Sequence, residues 1–274
     1  MDVIDVWTQL PGPRLLDQPW LDTLRRWTGD DFDAAAVSPD ALLGAMDRAG
    51  VSQSLVSAWS APGGDLISNA EMMRALDAAP DRLKGLAGAD LSRPMAAVRE
   101  LRDIVDGEQV VGVRVVPWVW DLPPNDRRYY PIYAACVDLG VPFCTQIGHT
   151  GPLKRSETGR LIPYLEDVLL DFPELTVVGG HVGFPWVDEL TTLAVKFENF
   201  FVDVSAYRLG RLPPDFVAFM KGPGRGRVMF GSNWPMVDMA ASLKDLGALG
   251  LDANDKAAFL AGTARKAFKL QARR

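Results

Sequence analysis

Eight short apolar runs, rich in β-branched and aromatic residues, recur along the chain. They predict strands at Val3–Trp7, Ser54–Trp59, Leu83–Asp90, Val110–Trp118, Val141–Gly148, Leu175–Gly180, Phe200–Ser205 and Arg227–Gly231. Several are apolar at successive positions rather than at alternate ones. Strands of a parallel sheet covered on both faces read that way, because neither face meets water.

Longer segments with apolar residues at helical spacing separate these runs. Ser38-Pro39-Asp40 opens one: serine supplies a capping oxygen, and proline fits the first helical position, where its missing N–H has no partner to lose. Leu42, Leu43 and Met46 follow at core spacing, and Gly50 closes the helix. Further helical patterns cover Ser68–Ala79, Pro94–Val105, Pro131–Leu139, Ile162–Asp171, Trp186–Phe197, Ala240–Leu249 and Asn254–Phe268.

Strands that alternate with helices in this way predict an α/β protein, a single (β/α)8 TIM-type barrel spanning 1–274, since parallel neighbours need helical crossovers. A doubly wound open sheet shows the same alternation, but usually with fewer strands and a glycine-rich fingerprint after the first, and neither occurs here. The stretch from Thr8 to Val37 carries Pro11, Pro13 and Pro19 and exceeds a plain strand-to-helix loop. Residues 8–37 are therefore expected to form a loop and short-helix insertion over the barrel mouth, with the helix around Leu21–Trp27.

Composition narrows the partners. The 274 residues are 48% hydrophobic and 23% charged with a formal net charge of -6, which suits a soluble domain and argues against a nucleic-acid partner, whose phosphates call for a basic excess. Cys136 and Cys144 fall in a predicted helix and strand and read as buried free thiols, which fits a reducing compartment. The chain opens directly into an apolar strand without a basic leader, and no apolar run approaches the roughly 18 residues of a membrane span, so a cytoplasmic protein with no membrane partner is expected.

Barrel enzymes build their chemistry at the C-terminal strand ends. Those ends hold both histidines of the chain, His149 and His181, each among glycines that admit close backbone approach. They also hold Trp7, Gln9, Arg114, Trp118, Asp203, Tyr207, Asn233 and Trp234. A lone histidine or aspartate is as readily a hydrogen-bonded structural group. Two histidines at the same expected face favour function. Arg114, a guanidinium in an apolar strand, needs an anion, supplied either by a protein carboxylate or by a substrate.

Several stretches resemble the amidohydrolase-related family, in the branch of aminocarboxymuconate-semialdehyde decarboxylase. They are Val3-Ile4-Asp5-Val6, Pro123 to Pro131, Gly148-His149-Thr150-Gly151-Pro152, Gly180-His181-Val182-Gly183-Phe184-Pro185-Trp186, Val202 to Tyr207, Phe230 to Met236, and Gly262 to Phe268. The resemblance implies a barrel with a divalent metal held by His-x-His on the first strand, histidines on the fifth and sixth, and an aspartate on the eighth. Trp7 and Gln9 stand at the His-x-His positions and Asn233 at the aspartate, so only His149 and His181 match. In the decarboxylase relatives, the histidine matching His149 is a metal ligand and the one matching His181 an acid/base group. The resemblance also implies a homodimer.

A catalytic metal needs about three good protein donors; indole is none and amides are poor ones. No cofactor is therefore expected, with a weakly held divalent ion at His149 and His181 left open. The reading is a metal-independent hydrolase of a small cyclic amide, ester or lactone, with a carboxylated or cyclic small molecule as its partner. Its catalytic groups are His181, His149, Asp203 and Asn233, and its substrate-binding groups Trp7, Gln9, Arg114, Tyr207, Trp118 and Trp234. Non-oxidative decarboxylation of an aromatic or unsaturated carboxylate is the alternative reaction, and a non-catalytic ligand-binding relative the alternative class.

Overall fold

The computed structural model describes residues 2–29, 33 and 37–271. Eight parallel strands run in chain order around one sheet: β1 (Ile4–Thr8), β2 (Gln53–Ser57), β3 (Leu83–Ala87), β4 (Val110–Val115), β5 (Phe143–Gln146), β6 (Val177–Gly180), β7 (Phe200–Asp203) and β8 (Val228–Met229). Backbone bonds join the two ends of the sheet: Val6 N–H to Phe230 O at 3.1 Å, Asn233 N–H to Trp7 O at 2.8 Å, and Gln9 N–H to Trp234 O at 3.1 Å. The (β/α)8 barrel expected from the alternating pattern is the fold found.

The helix expected after Ser38 spans Pro39–Ala49. Ser38 Oγ accepts the Ala41 N–H at 3.1 Å, and Gly50 ends the helix in the left-handed conformation that glycine adopts without steric penalty. At Asn69–Ala78, Ser68 and Glu71 cap each other's backbone in a reciprocal box. One large apolar cluster packs strands against helices. A second takes at least one residue from each of the eight strands, from Ile4 and Val6 round to Met229, and joins them to Ala261, Ala264, Ala267 and Phe268 of the closing helical segment.

Several bounds differ from expectation. β4 stops at Val115 because Pro117 begins a short helical turn, Pro117–Trp120. β2 stops at Ser57, and Trp59–Ala61 instead pairs antiparallel with Gly64–Ile67 in a small hairpin. A helix at Pro214–Lys221, absent from the sequence reading, joins β7 to β8. Within 8–37 the chain forms helical turns at Pro13–Leu16 and Pro19–Leu21 and a helix at Asp22–Thr28, while residues 30–32 and 34–36 of that stretch lie outside the described residues. Cys136 and Cys144 are buried free thiols. Among the described residues, no helix is long and apolar enough to cross a membrane.

Candidate active site

A cavity of about 280 Å³ opens at the C-terminal ends of the strands. Trp7, Gln9, His149, His181, Tyr207, Asn233 and Trp118 all line it, as does the inserted segment through Leu15, Trp20, Leu21, Leu24 and Trp27. Five of the chain's eight tryptophans face this space.

His181 directly follows β6, with φ of 77°; Asn233, beyond β8, also has φ of 77°. Left-handed backbone is uncommon outside glycine and is often held at functional sites by its surroundings. His181 Nδ1 lies 2.6 Å from Ser205 Oγ, and Ser205 Oγ hydrogen-bonds Asp203 Oδ1, which also accepts the Ser205 N–H at 2.9 Å. Asp203 and Ser205 are fully buried and two residues apart, so the strand period sets them on one face. With Nδ1 engaged, Nε2 is the nitrogen left to address the cavity. His149 is exposed near the mouth and pairs its Nδ1 with Ser156 Oγ at 3.0 Å. Gln9 donates Nε2–H to Asn233 Oδ1 at 3.0 Å, which leaves the Asn233 amide N–H₂ free to donate.

Arg114 is not on the cavity lining. It is fully buried, its guanidinium 3.7 Å from the centre of the Trp7 ring and its Nη2 donating to Val6 O at 2.8 Å. The expectation that it anchors a substrate carboxylate is corrected: its counter-charges are the protein's own Asp203 and Asp5. Trp234 is also displaced from its expected place, since it is buried in the large core cluster rather than in the cavity wall. The sequence reading missed Asp5, whose Oδ1 accepts the Trp7 N–H at 3.1 Å and the Ser232 N–H at 2.9 Å, and gave Ser205 no role.

Burial sets the electrostatics. Desolvation lifts Asp5 to about 7 and Asp203 to about 6, while hydrogen bonds from Ser232 and Ser205 respectively hold them back. Two carboxyls thus face one guanidinium, and the cluster keeps a proton on its acids into the near-neutral range. Desolvation, with the Arg114 charge second, pushes His181 down to about 3, so its imidazole is neutral under ordinary conditions. The edge that reaches the cavity leaves the residue half-buried, but the ring packs on Trp7 with centroids 4.5 Å apart. Burial also pushes the Cys144 thiol up to about 12.

The donors do not suit a divalent ion. No group of three or more His, Cys, Asp or Glu side chains converges among the described residues. Trp7 fills the floor with a ring that cannot ligate, and Arg114, stacked on it, opposes a second positive charge.

The chain belongs to the amidohydrolase family, which it matches over residues 4–270. It is 26% identical over 244 residues to gamma-resorcylate decarboxylase of Rhodococcus jostii (strain RHA1), an alignment covering 70% of this chain and 72% of that one. Among solved structures, an uncharacterized TIM-barrel protein of Bordetella bronchiseptica superposes with a TM-score of 0.83 at 24% identity, covering 98% of this chain and 99% of that one. 5-Carboxyvanillate decarboxylase of Novosphingobium aromaticivorans, solved with manganese, superposes with a TM-score of 0.68 at 16% identity, covering 98% and 96%. The expectation of a hydrolase acting on a cyclic amide, ester or lactone is corrected by these relatives: the two with a named reaction are decarboxylases of aromatic carboxylates.

Proposed function

We propose that this protein decarboxylates a small aromatic carboxylate without a metal, by proton delivery from His181. The observation that carries the reading is the line from His181 through Ser205 to Asp203, ending at a cavity with no Asp, Glu, Lys or Arg in its described lining.

The chemistry follows from that setting. A carboxylate entering an uncharged, apolar cavity loses its hydration, and its charge disperses as carbon dioxide leaves, so such surroundings favour the transition state over the ground state. His181 Nε2 gives its proton to the ring carbon that carries the carboxylate. The carbon–carbon bond then breaks, its electron pair restores the aromatic ring, and carbon dioxide departs. In the same step Nδ1, which carries no proton beforehand, takes one from the Ser205 hydroxyl, which takes one from the Asp203 carboxyl, held as an acid by burial. Before the next turn Nε2 takes a proton from solvent as Nδ1 returns its own through Ser205 to Asp203. The imidazole passes a proton between its nitrogens and never carries net charge beside Arg114, consistent with its depressed basicity. Gln9 and Asn233 serve as neutral hydrogen-bonding groups for the carboxylate, and the tryptophans as walls for the ring.

The test is carbon dioxide release from a panel of hydroxybenzoates by wild type and His181→Gln. Turnover that falls on the order of 10²–10⁴-fold in the variant supports the proposal. Turnover that ignores His181, or ligand-induced stabilisation with no turnover in either protein, overturns it, the latter in favour of a binding protein.

A further inference from the structure

We infer that the substrate is a mono-anionic arene: one carboxylate on a ring whose remaining substituents are apolar or neutral, with no second anionic group inside the cavity. The placement of the single carboxylate rests on the decarboxylase reading; the exclusion of a second one does not.

The exclusion comes from what surrounds the space. Beyond the polar floor and the neutral hydroxyl groups of Thr28, Thr150 and Tyr207, the walls are largely apolar, with Trp20, Trp27, Trp59, Trp118, Leu24 and Val237. Trp118 packs edge-on against Trp20, with centroids 5.0 Å apart, and against Trp59 at 6.0 Å, so three indoles form one continuous wall. None of these groups carries a positive charge to neutralise an anion. Arg114, beneath the floor, is stacked on Trp7, bonded to Val6 O and compensated by Asp5 and Asp203. A second carboxylate here would be desolvated with no partner, which is strongly unfavourable.

Two further cations stand outside. Lys154 and Arg155 border a shallow groove on the other side of His149 and Trp27, and neither forms an ion pair among the described residues. They attract an anion to the mouth but do not line the cavity. At about 280 Å³ the cavity lies just below the roughly 300–1,000 Å³ usual for small-molecule sites, which suits one substituted ring or two fused rings. A second carboxylate on such a ring stays inside with the indoles and does not reach the rim.

The experiment compares 2-hydroxy-5-nitrobenzoate with 2-hydroxy-5-carboxybenzoate, whose substituents match in shape and differ in charge, by calorimetric titration of the intact protein at about pH 8, where both acids are fully ionised. The nitro compound is expected to bind at least about 100-fold more tightly, and Val237→Lys to narrow that ratio at least about tenfold. Equal or tighter binding of the diacid to wild type, or binding of neither acid below about 1 mM, overturns the inference. Binding is read apart from turnover. A strong preference for the mono-anion without carbon dioxide release therefore sinks the decarboxylase reading alone, whereas equal kcat/KM for both acids sinks this inference alone.

Discussion

Arg114 lays its guanidinium 3.7 Å from the centre of the Trp7 ring while bonding the Val6 carbonyl, so a permanent cation sits under the floor of the cavity. Trp7 stands where the family resemblance implies a metal-binding histidine. Positive charge beneath the cavity floor is thus already present, in covalent form. Dialysis against a chelator is expected to leave turnover and Tm unchanged, and added manganese to raise neither. Elemental analysis checks this directly; near-stoichiometric metal whose removal abolishes activity is the contrary result.

Gly180 makes room for that arrangement. A Cβ built there would lie 2.2 Å from Trp7 Cζ3 and 3.0 Å from Asp203 Oδ2. The indole stacks on Arg114 and His181 and can yield only toward the cavity it lines. Gly180→Ala is expected to cost about 1–3 kcal/mol and to lower Tm by several degrees, with loss of ligand binding as Trp7 shifts into the cavity. Thermal melts and a ligand titration measure both effects, and an unchanged melt would contradict the packing described.

Ser205 never touches substrate in the proposed scheme; it connects His181 to Asp203. Ser205→Ala is expected to lower kcat about 10²–10⁴-fold with little change in KM, and Ser205→Thr to restore part of it. The pH profile separates this from a structural role. Wild-type kcat should fall as pH rises through about 6, where Asp203 gives up its proton. The alanine variant, cut off from that proton, should lack this limb.

Asp5 links the floor to stability. Its folded value near 7 stands above the ordinary 3.8, so between those values the folded chain binds a proton that the unfolded chain has released. Stability contributed at this site is therefore full below about pH 4 and is lost as pH rises to 7, at about 1.4 kcal/mol for each pH unit of the window. Asp203 acts in the same direction up to about 6, and His181 in the opposite one between about 3 and 6.5, so only a difference against a variant isolates Asp5. Asp5→Asn is expected to gain Tm relative to wild type progressively from pH 4 to pH 7. A constant offset across that range would refute the assignment.

Much of this molecule is legible in its sequence where local physics governs. Ser38, Pro39 and Gly50 specify both ends of a helix because capping is decided within a few residues. β4 ends short of its apolar run because Val116 to Trp118 remain apolar after the chain has turned at Pro117, and hydropathy does not register that change of direction. The Pro214–Lys221 helix went unread because Pro213-Pro214 looks like a loop, although proline at a first helical position is also an opening signal.

The site divides along the same line. His149, His181 and Asp203 follow from the rule that barrel chemistry gathers at strand ends. The direction in which Arg114 points does not, because its partners Val6 and Trp7 lie more than a hundred residues away in sequence. Asp5 and Ser232 are 227 residues apart and meet only after closure. The spacing Asp203-x-Ser205 did offer a usable signal, since alternate residues of a strand share a face and a hydroxyl beside an acid is a natural bridge to a base.

The join between β1 and β8 is made by backbone at Val6, Trp7 and Gln9 meeting backbone at Phe230, Asn233 and Trp234. The amide pair on the cavity floor, Gln9 with Asn233, therefore comes into being only when the first and last strands of the barrel find each other. In the proposed scheme the floor is thus finished at one stroke, at the end of assembly, and a chain stalled before its eighth strand carries both histidines without it.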